Sequence, residues 1–381
     1  METTNFKGKT LSRLGFGGMR FPLLEDGKTI DEDRLAEMVD YAIAHGVNYF
    51  DTAWTYHNRT SQVVLGRVLS RYPRESYYLA TKYPGHRPEE SYDPAATFQG
   101  QLDDCGVDYF DFYLLHSLQP THLPIYEQHD AWNFCRRMKE AGKIRHFGFS
   151  FHGDPVLLDQ LLREHPEVDF VQLQINYIDW DDPIICAGEN YTVCRKYGKD
   201  IVVMEPVKAG SLATMSPELL AHFRTLDPAA SAASYALRFV GSLPGIKVIL
   251  SGMSTAEQME DNIATFEHFR PLTEPEQAAV KAVTEGLLAT PTVPCTSCRY
   301  CVPGCPQKLD IPEIFRCYNL HLTFGPHHRP QVCYDNMLAA GSPRANACIG
   351  CGQCESVCPQ HIPITDWLNK ASALLDQPQK D

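Results

Sequence analysis

The sequence predicts an α/β chain in which a (β/α)8 TIM barrel is followed by a small, mostly helical domain. Two observations carry this. Over the first 265 residues, eight short apolar or alternating runs are separated by longer stretches of helical periodicity, and eight strands alternating with helices over about 250 residues is the barrel's pattern. Beyond residue 290 the chain turns cysteine-rich.

The eight runs are 13–21, 47–51, 77–82, 109–116, 144–150, 170–176, 201–205 and 247–251. Amphipathic stretches lie between them at 33–44, 61–71, 94–105, 126–141 and 155–164, several opened by Asp, Thr or Ser in a helix-capping position. A doubly wound open sheet is the competing pattern, but it calls for GxGxxG after the first strand, and Leu14-Gly15-Phe16-Gly17-Gly18 has the wrong spacing. A last helix is expected over 274–288, where Pro275 suits the first turn. Residues 290–294 read as a short, stiff linker, which divides the chain into a barrel at 1–290 and a second domain at 291–381.

Of the 381 residues 44% are apolar and 21% charged, and the longest apolar runs stop short of the roughly 20 residues that cross a bilayer. No membrane partner is expected. The first ten residues are polar and lack the features of a secretion signal, so a cytoplasmic protein is expected. Fourteen cysteines in that compartment point to metal rather than disulfides. The net charge of −13 is uneven: residues 1–294 carry 27 basic against 40 acidic groups, while the remainder is balanced. That excess argues against a nucleic-acid partner or an anionic membrane surface.

Cys295, Cys298, Cys301 and Cys305 before Pro306 form C-x2-C-x2-C-x3-C-P, and Cys348, Cys351, Cys354 and Cys358 before Pro359 repeat it. In this spacing three close cysteines wrap one 4Fe-4S cubane and the fourth reaches across to the other. Cys295, Cys298, Cys301 and Cys358 are therefore assigned to one cluster, and Cys348, Cys351, Cys354 and Cys305 to the second. Structural zinc is the alternative, but its closed tetrahedral set asks for neither the third cysteine of each run nor the proline. The 42 residues between the runs exceed what a minimal bacterial ferredoxin uses, and 311–322 reads as helix. The module resembles the all-helical, two-cluster ferredoxin domains attached to several redox enzymes. Cys317 and Cys333 in this insert, like Cys105, Cys135, Cys186 and Cys194 in the barrel, read as small buried hydrophobes.

Barrel enzymes carry their catalytic groups at the C-terminal ends of the strands. The second run ends in Asp51-Thr52-Ala53-Trp54-Thr55-Tyr56, the third in Ala80-Thr81-Lys82 and the fourth in Leu114-Leu115-His116. Singly, each titratable group has a plain structural explanation; four on three consecutive strand ends point to chemistry. A tyrosine hydroxyl is a weak acid until a nearby cation favours its ionised form. Lys82 can supply that charge, Asp51 can hold the lysine, and His116 can orient a carbonyl oxygen or share the proton transfer, which makes carbonyl reduction the expected reaction with Tyr56 as acid. Trp54, His57, Tyr83 and Trp132 are candidates for the substrate-pocket wall.

Asp51-Thr52-Ala53-x-x-Tyr56, the lysine after the third strand and Leu114-Leu115-His116 resemble the aldo/keto reductase superfamily over about residues 10–265. The resemblance implies a nicotinamide cofactor, NADP or NAD, with Ser150 and Gln172 on the carboxamide. It sets Gly210, Ser211 and Leu212 by the pyrophosphate, Gly252 and Ser254 at a helix start suited to phosphate, and Asn262 at the adenine. Three positions depart from it: Phe151 stands where the family has asparagine, Glu205 where it has a stacking tyrosine, and Gln258 where an arginine often meets the 2′-phosphate. A reductase barrel fused to such a cysteine tail is a recognisable subgroup, which His152-Gly153 fits.

The expected substrate is a small carbonyl compound, and the expected partner a ferredoxin or another redox protein. Nicotinamide moves electrons as a hydride pair whereas each cubane moves one, so a direct relay would force a nicotinamide radical. Three resolutions stand open: structural clusters, a flavin in the barrel that splits the pair, or an electron-transfer protein whose barrel is a docking scaffold.

Overall fold

The computed structural model describes residues 1–85, 93–295, 297–325 and 329–377. Eight parallel strands close into a barrel in the order β10-β3-β4-β5-β6-β7-β8-β9. They are β3 (Leu14–Gly17), β4 (Tyr49–Asp51), β5 (Tyr78–Tyr83), β6 (Phe110–Leu118), β7 (Ile144–Phe151), β8 (Phe170–Gln174), β9 (Asp200–Met204) and β10 (Ile246–Ser251). Each falls on one of the eight expected runs. One expectation about the helices is corrected: 126–141 is two helices, Leu123–Gln128 and Ala131–Glu140. Asp130 between them sits at φ 51, left-handed backbone that no α-helix can pass through.

An antiparallel hairpin, β1 (Thr3–Phe6) with β2 (Lys9–Ser12), precedes the barrel and was not expected from sequence. Its two-residue loop, Lys7-Gly8, has positive φ at both positions, 46 and 83, the hand that matches strand twist. Phe6 and Leu11 of the hairpin join Tyr49, Ala80, Phe112, Phe170, Val202 and Val248 in one buried cluster. Phe6 meets the edge of Phe112 at 5.2 Å between ring centres. The N-terminal end of the barrel is thus filled with apolar side chains, leaving the C-terminal end for chemistry.

Strand periodicity then places the functional groups. Side chains two apart share a face, so the lumen residue Tyr49 is followed on the same face by Asp51, Ala80 by Lys82, Leu114 by His116, Gly148 by Ser150 and Phe170 by Gln172. Parallel register steps the first three ends by two residues from strand to strand, Asp51 pairing with Ala80 and Lys82 with Leu114, while Ser150 stands level with Gln172. Gly148 is required where it stands, because a Cβ there would lie 2.5 Å from the Phe170 carbonyl oxygen.

The chain divides into two compact units, Met1–Ala209 with Leu226–Val280, and Gly210–Thr225 with Lys281–Asp381. This partition falls ahead of the boundary at 290 expected from composition, and it takes one barrel-region segment into the second unit. That unit has its own core, built on Ile314, Phe315, Cys317, Tyr334 and Leu368 from the helices Ile311–Phe324, Arg329–Ala339 and Ile364–Leu375. Tyr334 ties the insert to the last helix, its hydroxyl donating to Asp376 at 2.7 Å and accepting from the Ala345 N–H at 2.6 Å. The expected linker at 290–294 is docked rather than free: Val293 is buried and bonded through both its N–H and its carbonyl to the Asn319 amide.

Candidate functional site

Lys82 is fully buried, and a bare ammonium there would be costly. Its Nζ donates to Asp51 Oδ1 at 2.6 Å and to the Thr52 carbonyl at 2.8 Å, and it lies 4.9 Å from the centre of the Tyr56 ring. The His116 ring stands edge-on to Tyr56, 5.9 Å between centres. All four titratable groups expected at the rim therefore converge. Tyr56 and His116 are half-buried, and Asp51 and Lys82 lie beneath them.

Burial pushes the Tyr56 phenol above its ordinary value; Lys82 pulls it back down, while Asp51 and Glu205 add to the rise. Burial outweighs the cation, where the sequence reading had stressed the cation alone. For Lys82, burial works against the charge, yet Asp51 and Tyr56 together hold its ammonium above the ordinary range. Burial raises Asp51 and Lys82 lowers it. The lysine's direction is the one the short contact supports: an intact ion pair, with the proton on Lys82.

Two features support this group that sequence reasoning missed. Behind Lys82 runs a buried polar network in which Thr81 donates to Gln62 at 2.6 Å, Gln101 donates to Gln62 at 2.8 Å and to the Lys82 carbonyl at 3.0 Å, and Tyr113 donates to Gln101 at 2.5 Å. Buried glutamines on the barrel-facing sides of the helices Ser61–Leu69 and Pro94–Cys105 were the available signal. The second feature is the turn after Tyr56: His57, Asn58 and Arg59 have φ of 47, 50 and 72, consecutive left-handed residues of the strained kind that collects at functional sites.

The pocket-wall candidates separate. Arg59 lies over the Trp54 ring at 3.9 Å, and His57 stacks on Phe21 while accepting its N–H at 3.3 Å. Trp132 and Tyr83 are core residues: Trp132 stacks on His165 at 3.6 Å, and Tyr83 is buried against Tyr126.

Ser150 and Gln172, neighbours in register, suit a carboxamide. The Ser150 hydroxyl oxygen accepts the Ser117 N–H at 2.7 Å, leaving its hydrogen to donate. Gln172 Oε1 is buried with no hydrogen-bond partner among the described residues, an acceptor of the kind an amide N–H satisfies. The other expected contacts fit less well. Gln258 caps its own helix, its Oε1 accepting the Ser254 N–H at 2.8 Å and its N–H donating to Thr255. Ser254 donates its hydroxyl to the Arg20 carbonyl. Asn262 is buried, its amide donating to Ser251 at 3.0 Å, which runs against the expected reach to an adenine. Gly210, Ser211 and Leu212 belong to the second unit, with Ser211 and Leu212 buried. A cation missed from sequence, Arg20, runs its aliphatic stem along Gly252, 3.1 Å from where a Cβ would stand.

In the second unit, one cavity is lined by Cys295, Cys298, Cys301 and Cys358, and another by Cys305, Cys348, Cys351 and Cys354. These are the two crossed sets read from the spacing. A zinc ion with bonds of about 2.3 Å would draw its four sulfurs to about 3.8 Å of one another. Among the described residues, neither set forms a group that tight, so both fit a multi-atom cluster better than a single ion. Ile311, at the start of the helix Ile311–Phe324, lines both cavities.

Comparison with known proteins agrees with both halves. The model described as the aldo/keto reductase family matches residues 13–285, and that of a 4Fe-4S dicluster domain matches residues 294–362. A probable aldo-keto reductase from Glycine max is 27% identical over 212 residues, 54% of this chain and 58% of that protein. An NADH-specific methylglyoxal reductase from Escherichia coli is 26% identical over 228 residues, 53% of this chain and 66% of that protein. The chain thus spans under two thirds of the length of these curated relatives. Among solved structures, the holo form of an aldo-keto reductase from Bacillus halodurans superposes with a TM-score of 0.60 at 23% identity, covering 74% of this chain and 96% of that one. An aldo/keto reductase from Klebsiella pneumoniae in complex with NADP and acetate gives 0.60 at 19% identity, covering 74% and 95%. At such identity the solved structures speak to the fold alone.

Proposed function

Because this chain belongs to the aldo/keto reductase family, we propose that its barrel reduces an aldehyde, a ketone or a conjugated carbonyl with NAD(P)H, Tyr56 giving the proton. The observation that carries this reading is the convergence of Asp51, Tyr56, Lys82 and His116 at the open end of the barrel. Bound NAD(P)H would supply the hydride that the carbonyl carbon receives. Ser150 and Gln172 would hold its carboxamide, the serine as donor and the unpartnered Gln172 Oε1 as acceptor. His116 orients the carbonyl oxygen toward Tyr56. Tyr56 passes its proton to that oxygen, and Lys82, kept charged by Asp51, stabilises the phenolate left behind. A relative named as a methylglyoxal reductase makes small oxo-aldehydes the first substrates to assay.

The eight cysteines would hold two 4Fe-4S clusters, which supply one-electron chemistry. The crossed cysteine sets favour a second electron supply, from a one-electron donor such as ferredoxin, because an interlocked pair of clusters suits electron transfer better than scaffolding. The experiment compares NAD(P)H-driven with ferredoxin-driven reduction of one aldehyde, in the unmodified protein and in Cys351→Ser with native tryptophan fluorescence. Loss of only the ferredoxin-driven rate supports the second supply. Absence of any ferredoxin-driven rate in the unmodified protein leaves the clusters structural, and absence of an NAD(P)H-driven rate on every carbonyl tested refutes the reductase reading.

A further inference from the structure

Cys317 and Cys333 stand outside both cluster sets, and the structure does not treat them as two independent apolar fillers. They sit on the helices Ile311–Phe324 and Arg329–Ala339, and their sulfurs are 2.9 Å apart, closer than non-bonded contact. A disulfide bond of about 2.05 Å would need them to close by under about 1 Å. We propose that Cys317 and Cys333 form a reversible dithiol–disulfide couple, a redox site additional to the eight cluster cysteines.

The polar contacts give the two sulfurs different parts. The Cys317 thiol donates to Cys333 Sγ, and Arg316 Nη2 donates to the same sulfur at 2.6 Å. Two donors converge on Cys333, so negative charge is stabilised there and the proton stays on Cys317. Arg316 is also paired with Glu313, whose Oε1 accepts from the Cys333 thiol at 3.8 Å, so Cys333 has a carboxylate to take its proton and a guanidinium to hold the thiolate left behind. Cys333 is half-buried and Cys317 fully buried, which makes Cys333 the attacking thiol that a reagent reaches and Cys317 the resolving one.

Glu313, Cys317 and Cys333 also form the one group of three possible metal ligands within 4.8 Å among the described residues. A divalent ion there would meet the Arg316 guanidinium, which already contacts both the carboxylate and Cys333. Like charge in the ligand shell decides for thiol chemistry over metal.

The oxidant is a small-molecule disulfide. The Cys333 thiolate attacks one of its sulfurs, forming a mixed disulfide and releasing one thiolate. Cys317, giving its proton to solvent, then attacks the Cys333 sulfur and releases the second. Two protein thiols are oxidised by two electrons to one disulfide, and the external disulfide is reduced to two thiols; excess thiol reverses both steps.

The couple is read directly by mass. Arg329 precedes Pro330, so trypsin leaves residues 317–344 as one peptide with these two cysteines and no others. Anaerobically purified full-length protein, with its cluster absorbance monitored, is equilibrated in buffers of graded oxidised-to-reduced glutathione ratio, then alkylated and digested. We expect the peptide to lose both alkyl groups and become two hydrogens lighter, reversibly and while cluster absorbance is retained. Arg316→Gln should slow formation of the mixed disulfide at least several-fold. Cys317→Ala should leave Cys333 as a trapped glutathione adduct. Two refuting results are defined on the unmodified protein, so neither depends on a variant folding. One is that both thiols remain alkylatable until the cluster absorbance has collapsed; the other is that zinc added alone binds stoichiometrically and protects both from alkylation.

Discussion

Replacing Lys82 by Met tests what the buried cation does. Its ammonium lies 4.9 Å from the centre of the Tyr56 ring and is hydrogen-bonded to the Tyr56 hydroxyl, and two unit charges no farther apart than this interact by at least about 3 kcal/mol at an effective dielectric near 20. That is roughly a hundredfold in acidity. Since burial already raises the phenol, loss of the cation raises it further and makes Tyr56 a weaker acid, so kcat for a small aldehyde should fall by about two orders of magnitude. The single variant also strands Asp51, 3% exposed at its side chain, at a stability cost of about 3–5 kcal/mol. The double variant Asp51→Asn/Lys82→Met removes that second effect. The assay measures kcat, cofactor affinity by fluorescence and thermal midpoint in all three proteins. The double variant should regain most of the stability and little of the rate. A double variant within threefold of the unmodified rate refutes the electrostatic role of Lys82.

Metal analysis of anaerobically purified protein should find about eight iron and eight sulfide per chain; stoichiometric zinc without visible absorption contradicts the cluster assignment. Discrimination between NADPH and NADH should be weak, because Gln258 is spent on capping and Lys208, the cation that follows the strand Asp200–Met204, is paired with the buried Asp179. An NADPH preference above about 100-fold, or about 2.7 kcal/mol, contradicts this, and Arg20→Ala is then the variant that should abolish it. Arg238 grips Glu276 through two bonds of 2.8 and 2.7 Å in a buried setting, holding that carboxyl down at about 2 from an ordinary 4.5. A depressed carboxyl stabilises the fold above its unfolded value, and that stability fades as pH falls toward the folded one, here from 4.5 toward about 2. Glu276→Gln should therefore lower urea stability by on the order of 3 kcal/mol at pH 7 and by progressively less below pH 4.5; a difference that stays constant down to pH 3 contradicts the ion pair's part.

The strands were legible because parallel barrel strands are short, apolar and bounded, and because period two carries each functional residue from a lumen position such as Tyr49 or Ala80. Cysteine spacing was legible for a similar reason, since eight sulfurs at fixed offsets have few ways to surround two clusters. What escaped depended on geometry that sequence spacing does not encode. The Lys7-Gly8 loop lacks the Asn-Gly signal of a tight hairpin yet adopts its backbone. The break at Asp130 sits inside a pattern whose apolar periodicity continues on both sides. Trp132 follows a strand end in sequence but stacks on His165, away from the rim. Cys317 and Cys333 are 16 positions apart on two helices, and only the packing of those helices brings their sulfurs together.

The most direct measurement is kcat and cofactor affinity in Tyr56→Phe, with NAD(P)H and a small aldehyde. The substitution removes one hydroxyl and leaves the ring against Lys82 and His116, so folding and cofactor binding should persist. With Tyr56 as the acid, kcat falls by on the order of 100-fold or more while the cofactor dissociation constant stays within about threefold. A Tyr56→Phe protein that turns over at the unmodified rate would contradict the assignment and move the chemistry away from this rim.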